Sequence, residues 1–293
     1  METGVPEAVE RESRGTAEEE EENGSSAMIW SLEEANEKQT SQIGASACGA
    51  TAVIDVLQAL GFNVAAQVVD RCVRTNLRKN EALLPEYLLS RSVAGTTSAQ
   101  LVAGVERLTG GVVVGRLFCL YPERQVDLCR WLCQWIRKGA VPVATMNMQV
   151  GVPPGEEIPD AWHHQMVFGV APDTVYMTNP LEAEKASLVK QRLCSDSVLL
   201  VRREDVLMRL SDDTKLSALS QVQDDPRWDQ LDVAGQVGQM IYEEITPDEG
   251  AATTHLVIPA VYKSGITLFA VKDSELGEEL LSATDLPLLH PPH

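Results

Sequence analysis

Long apolar runs are absent from this chain of 293 residues, although 44% of its residues are hydrophobic. A helix that crosses a bilayer needs about 20 consecutive apolar residues, and a signal peptide begins with basic rather than acidic residues. Neither pattern is present in the sequence. We therefore expect a soluble, cytoplasmic protein with enough apolar residues for a substantial buried core.

Histidine and cysteine are also scarce, with five and six residues respectively. The cysteines are irregularly spaced and no export signal accompanies them, which favours reduced thiols over disulfides. The adjacent His163 and His164 have no third metal-binding residue at a recognisable spacing. These patterns predict neither a bound metal ion nor a cofactor.

Basic residues are outnumbered by acidic ones, 24 against 43, and the formal net charge is −19. The excess lies at the two ends: residues 1–26 contain nine acids and two bases, and residues 211–293 contain 15 acids and four bases. A negative field repels phosphate groups. Nucleic acids and membrane surfaces are therefore not expected as partners, whereas the acidic C-terminal region is a candidate surface for binding another protein.

The order of the sequence patterns predicts three regions. Residues 1–26 contain almost nothing that could be buried and predict a disordered acidic tail. Apolar residues then recur with a helical period up to about residue 110, and short apolar strands follow. This order predicts one α+β domain over residues 27–205, with a C-terminal extension over residues 206–293.

The extension has a weaker pattern than the domain before it. Residues 233–242 predict a helix, and residues 256–262 and 266–271 predict the two strands of a β-hairpin joined at Lys263-Ser264-Gly265. Residues 286–293 contain several prolines and predict a disordered end.

Cys48 opens the first long apolar helix and is the candidate nucleophile. A thiol at a helix N-terminus feels the positive end of the helix dipole, which lowers its pKa and raises the thiolate fraction. Gly44 and Gly49 leave space beside the thiol for a substrate backbone. Gln42 brings an amide donor to the same turn, where it could hold an oxyanion together with the backbone N–H of Cys48.

The general base should come from far along the chain, and His163 and His164 begin a predicted strand. The next strand ends at Asn179. If a turn at Pro172-Asp173 joins these strands as a hairpin, Asn179 lies near the histidine pair. Its side-chain oxygen can then orient one imidazole, as in a Cys-His-Asn arrangement.

Four short motifs carry this pattern: Gln-x5-Cys-Gly-x-x-Ala from Gln42, Lys-Gly-x-x-Pro-Val from Lys138, His-x5-Gly from His163 and the late Asn179-Pro180. Together they resemble the papain-like cysteine peptidases, and within them the branch that processes bacteriocin leader peptides at a double glycine. The resemblance covers roughly residues 30–200. It implies a two-lobed α+β fold in which an N-terminal helical lobe packs on an antiparallel sheet lobe.

The resemblance also implies roles for individual residues. Cys48 would be the nucleophile, Asn179 the residue that orients the base, and Gln42 part of the oxyanion hole. The family's histidine stands six residues before the strand glycine, which selects His163, whereas a shift of the strand by one residue would select His164. Asn179 stands where this branch more often has Asp.

The expected function is that of an intracellular cysteine peptidase, a thiol hydrolase that cleaves peptide or related amide bonds in a peptide or protein substrate. Two alternatives remain: a catalytically inactive interaction or scaffold protein with the same fold, and an acyltransferase with the same triad. Glu156, Glu157 and Asp160 lie just before His163. They predict an acidic rim that favours basic residues in the substrate.

Overall fold

A computed structural model describes residues 26–159, 161–211, 214–220, 225–246 and 252–290. The predicted acidic tail, residues 1–26, therefore lies outside the described residues except for its last position. Over the described ranges, no helix is both long and apolar enough to cross a bilayer.

Helices fill the N-terminal part of the chain, and strands alternate with helices after it. The described helices are α1 (Leu32–Lys38), α2 (Cys48–Ala59), α3 (Ala66–Val73), α4 (Leu84–Val93), α5 (Ser98–Leu108), α6 (Leu128–Arg137), α7 (Ala186–Leu193), α8 (Arg203–Leu207), α9 (Ser217–Ser220), α10 (Arg227–Gln230), α11 (Val233–Ile245) and α12 (Glu275–Ser282). The described strands are β1 (Ala27–Met28), β2 (Val113–Cys119), β3 (Val141–Asn147), β4 (Trp162–Ala171), β5 (Thr174–Met177), β6 (Glu182–Lys185), β7 (Val198–Arg202), β8 (His255–Pro259) and β9 (Gly265–Val271).

The main sheet is antiparallel throughout, with the strand order β2-β9-β3-β4-β5-β6 and with β1 also paired to β4. Strands β7 and β8 form a separate antiparallel pair. The hairpin predicted from Pro172-Asp173 is present, because Ala171 pairs with Thr174. Helices and an antiparallel sheet in one chain confirm the predicted α+β class.

Both faces of the main sheet are covered by helices. Helices α2, α3 and α5 pack on one face, where Val53 and Leu101 meet Phe269. Helices α6, α7 and α12 pack on the other face, where Leu132 and Leu280 are buried. The predicted helical lobe thus corresponds to the first of these layers, and the second layer places the sheet in the middle of the molecule.

The predicted hairpin between residues 256–262 and 266–271 is wrong. Strand β9 lies between β2 and β3 in the main sheet, and β8 pairs with β7 instead. The prediction relied on strands that follow one another along the chain being neighbours, which is only a tendency. In β9 the run from Ile266 to Ala270 is fully buried, as expected for a strand covered on both faces rather than for a hairpin with one exposed face.

The position of β9 changes the predicted division at residue 205. The C-terminal segment supplies a central strand of the sheet, so it is part of the same fold rather than an appendage to it. Part of the predicted disordered end is also in contact with the fold, since the Arg124 guanidinium donates to the Leu286 carbonyl at 2.9 Å and Arg124 forms a β-bridge with Leu288. Residues 291–293 lie outside the described residues.

Candidate active site

Cys48 is the first residue of α2, and its thiol lies at the floor of a pocket. No side chain caps this helix start, because the preceding position is Ala47. The first amides of the helix therefore point toward the thiol end without an internal acceptor. Cys48 is 8% exposed, and a Cβ added at the next residue, Gly49, would lie only 3.0 Å from Leu101 and Thr96. Gly49 thus allows the helix start to pack closely while the thiol faces the pocket.

His163, the second residue of β4, lies beside the thiol. It lines the same pocket as Cys48, and its Nε2 lies 2.6 Å from the backbone carbonyl oxygen of Asn179. A carbonyl oxygen only accepts, so Nε2 carries a proton and Nδ1 is the ring nitrogen that can accept the proton of the thiol.

The surroundings of His163 act in opposite directions on its pKa. Burial disfavours the charged ring, whereas the neighbouring Cys48 sulfur and the hydrogen bond to the Asn179 carbonyl favour it. The favourable contacts prevail, and the pKa of His163 is raised above its usual value of 6.5. The site therefore stabilises the charged imidazolium that forms when the thiol gives up its proton.

His164 points to the opposite side of β4, because successive side chains alternate along a strand. Its Nδ1 lies 3.0 Å from the Thr145 hydroxyl, and its Nε2 lies 2.7 Å from the Thr96 carbonyl. The ring is fully buried, and burial lowers its pKa to about 4. Of the two candidate histidines, His163 is the one that the fold brings to Cys48, while His164 is a hydrogen-bonded core residue.

Asn179 reaches His163 through a different atom from the one that the sequence predicts. The backbone carbonyl accepts from the imidazole, while the side-chain amide nitrogen is buried without a hydrogen-bond partner among the described residues. Asn179 has a left-handed backbone, with φ at 57°, a conformation that Asn adopts more readily than most residues. This backbone turns the carbonyl toward the ring, so the predicted side-chain contact is replaced by a main-chain one.

Gln42 lines the same pocket as Cys48 and His163. Its side-chain amide donates to the Gly44 carbonyl at 2.9 Å, which fixes the amide in the turn before α2. An amide NH₂ group carries two hydrogens. The second one can be donated to a group bound above Cys48.

The pocket has a volume of about 290 Å³, and six of its lining residues are polar or charged apart from the thiol. They are Gln42, Ser46, Arg78, Asn80, Arg91 and His163. Its apolar wall includes Trp162 and Tyr262, whose rings are stacked with centroids 5.6 Å apart. The arrangement offers a nucleophile, a base and several hydrogen-bond donors around one cavity.

The predicted acidic rim is not part of this pocket. Glu156 and Glu157 are exposed, and Glu157 pairs with Arg202 at 2.7 Å, while Asp160 lies outside the described residues. Among the lining residues that the structure describes, none is acidic and two, Arg78 and Arg91, are arginines. The described wall therefore offers no carboxylate for the expected basic substrate residue.

Tyr262 is one of the pocket residues that sequence reasoning missed. It follows β8, more than 80 positions after Asn179, in the predicted C-terminal extension. A single tyrosine in an apolar stretch gives no local signal for a site. Only the pairing of β8 with β7 and of β9 with β3 brings this residue to the pocket.

Comparisons with known proteins give weak structural matches and no sequence match. The peptidase domain of Streptococcus ComA, a bifunctional ABC transporter involved in a quorum-sensing pathway, matches with a TM-score of 0.35 and 14% identity over 53% of this chain and 90% of that domain. A putative C39-like peptidase from Bacillus anthracis matches with a TM-score of 0.37 and 16% identity over 54% of this chain and 89% of that chain. No protein-family model and no curated protein matches this chain.

Proposed function

We propose that this chain is a cysteine peptidase that cleaves peptide or related amide bonds, with Cys48 as nucleophile and His163 as general base and acid. The observation that carries the proposal is that Cys48 and His163 line one pocket, with the Asn179 carbonyl oxygen 2.6 Å from Nε2 of that histidine. A nucleophile, a base within hydrogen-bond reach and a third group that orients the base form the general pattern of nucleophilic catalysis. The Asn179 carbonyl supplies that third group.

The reaction begins when the thiol proton of Cys48 moves to Nδ1 of His163. The thiolate attacks the carbonyl carbon of the substrate, and the carbonyl oxygen becomes an oxyanion. The C–N bond then breaks as the imidazolium gives its proton to the leaving amine, which leaves a thioester on Cys48. Water adds to the thioester with His163 as base, and the sulfur leaves as a thiol again while the product is released as a carboxylic acid.

Two groups near the helix start can stabilise the oxyanion. The backbone N–H of Cys48 is one of the first-turn amides that have no acceptor within the helix. The free hydrogen of the Gln42 amide is the second candidate donor. Preorganised donors of this kind are worth about 10²–10³-fold in rate each when measured by removal.

The proposal is tested by replacing Cys48 with Ala. We expect Cys48→Ala to retain its fold, to lose about 10³-fold or more in hydrolysis of the best substrate found in a peptide library, and to lose rapid alkylation by iodoacetamide. Cys194→Ala is the matched control, because burial raises the pKa of the Cys194 thiol and that residue does not line the pocket. It should keep both activities.

Unchanged alkylation in Cys48→Ala would contradict the proposed nucleophile. Hydrolysis and acyl transfer share every step up to the thioester, so the product separates these two functions. Incorporation of ¹⁸O from labelled water into the product carboxylate supports a peptidase. Transfer to an added amine, with no ¹⁸O in the product, supports an acyltransferase instead.

A further inference from the structure

Tyr262 lies in the connection between β8 and β9, and its ring forms one wall of the pocket. The ring stacks on Trp162 and meets the edge of His164, with centroids 5.8 Å apart. Its hydroxyl extends to the backbone of Gly95, where an added Cβ would collide with it. The ring is therefore held in one position from three sides.

The hydroxyl of Tyr262 has no hydrogen-bond partner among the described residues, although the residue is only 9% exposed. A buried polar group without a partner costs free energy, so buried tyrosines normally hydrogen-bond. This hydroxyl retains contact with solvent, because it is absent from the fully enclosed polar atoms. It is thus a donor that reaches solvent and has no acceptor among the described residues, on a side chain that lines the pocket.

The sulfur of Cys48 and the Tyr262 hydroxyl are close enough to interact by charge. Burial is the main cause of the raised pKa of Tyr262, and the negative charge of Cys48 raises it further. Cys48 and Tyr262 also line the same pocket of about 290 Å³.

Because its pKa is raised, Tyr262 stays protonated through the neutral pH range. It can donate a hydrogen bond but cannot act as a base. A site for a reacting carbonyl needs a position within about 3 Å of both the nucleophile and an oxyanion donor. Cys48 and Tyr262 line the same pocket, so a carbonyl bound there can contact both residues.

We infer that the Tyr262 hydroxyl donates a hydrogen bond to the substrate oxygen that becomes negative when Cys48 attacks. The inference rests on the proposed function, since it needs Cys48 to be a nucleophile. It makes the C-terminal segment a contributor to catalysis as well as to the sheet. If Tyr262 had a purely structural role, its aromatic ring would be sufficient and removal of the hydroxyl would not change the reaction rate.

The test compares two reactions of Cys48 in a Tyr262→Phe variant. Alkylation by iodoacetamide displaces iodide at a tetrahedral carbon and forms no oxyanion, so it reports only on the thiolate. Acylation by p-nitrophenyl acetate passes through an oxyanion and needs no recognition of a peptide. Background from the other thiols is removed by subtracting the rates of the Cys48→Ala variant.

We expect Tyr262→Phe to reduce the rate of acylation by about 10–100-fold and to leave the rate of alkylation unchanged. Tyr176→Phe is the matched control: this tyrosine also packs on an aromatic ring, that of Phe168, but it does not line the pocket. Both of its rates should match those of the wild type. The melting temperature of Tyr262→Phe should also be unchanged, because the stacked ring is kept.

Acylation at the wild-type rate in Tyr262→Phe would overturn the inference and leave the proposed function standing. An equal loss of acylation and alkylation would also overturn it, since the hydroxyl would then act on the thiolate or on the fold. If the wild type shows no alkylation at Cys48, the proposed function fails and the role of Tyr262 fails with it.

Discussion

At the scale of single residues, the clearest contrast is between His163 and His164. They are adjacent in sequence, yet one faces the thiol and the other is enclosed by Thr96 and Thr145. The alternation of side chains along β4 explains the difference. Because the two rings face different surroundings, their pKa values shift in opposite directions. Hydrogen bonding and charge outweigh burial at His163 and raise its pKa, whereas burial prevails at His164 and lowers its pKa.

This contrast predicts an acid-sensitive fold. Burial lowers the pKa of His164 to about 4 in the folded chain, and unfolding returns it to about 6.5. The unfolded chain then binds more protons between pH 6.5 and pH 4. The contribution of His164 to stability is complete above pH 6.5, and roughly 3 kcal/mol is lost as the pH falls to 4.

Urea unfolding at pH 7, 6, 5 and 4 measures this loss. We expect His164→Gln to be less stable than the wild type at pH 7 and to lose less stability than the wild type on acidification. His290→Gln, which replaces an exposed histidine, should follow the wild type. Parallel curves for the wild type and His164→Gln would contradict the proposed protonation.

Sequence patterns identify the residues at this site better than they identify which atom of each residue makes the contact. Cys48, His163 and Gln42 meet at one pocket, and this could be predicted from a helix start, a strand start and their motifs. The contribution of Asn179 could not, because it depends on a backbone dihedral angle rather than on a side chain. Tyr262 could not be predicted because its position depends on long-range strand pairing.

At the scale of elements, β9 is the least expected feature. It pairs with β2 on one side and β3 on the other, and its first residue, Gly265, has φ at 154°. L-residues with a side chain rarely adopt this conformation. A Cβ at this position would also collide with the backbone carbonyl of Phe118 on β2.

Gly265→Ala should therefore destabilise the protein by about 2 kcal/mol or more, because backbone strain and a backbone clash occur together. Gly238→Ala is the matched control, since this glycine lies in α11 with open space around its Cα. Alanine there should leave stability unchanged or raise it by about 0.5–1 kcal/mol. Chemical denaturation of both variants measures the difference, and equal stabilities would argue against the tight pairing at the start of β9.

Local patterns predict the change from helices to strands near residue 110. The capping box of Ser31 and Glu34 begins α1, and the periodic apolar residues from Val53 to Leu57 mark α2. The predicted pairing of β8 with β9 is wrong, because β8 pairs with β7 and β9 pairs with β2 and β3. The local sequence of β9 does not indicate that it pairs with β2 and β3, which lie more than 100 residues before it.

At the scale of the whole molecule, the sheet is completed by both ends of the described chain. Without β9, neither β2 nor β3 has its common neighbour, and the apolar layer formed by Ile266, Leu268 and Ala270 is lost. A chain that ends at residue 205 should therefore fail to fold cooperatively. Circular dichroism melting and alkylation of Cys48 measure this directly.

Coexpression of residues 206–293 as a separate chain is the control for that truncation. We expect it to restore a cooperative melt, because the missing strand can pair from a second chain. A truncated chain that melts cooperatively on its own and retains rapid alkylation of Cys48 would contradict the central role of β9.

Because β9 lies late in the sequence, the pocket is completed late in synthesis. A ribosome releases Cys48 and His163 well before it releases residue 271. Until then the main sheet lacks strand β9, which lies between β2 and β3. The thiol and the imidazole of a nascent chain are thus present but not yet aligned. For the proposed peptidase, hydrolysis would then begin only after residue 271 has left the ribosome.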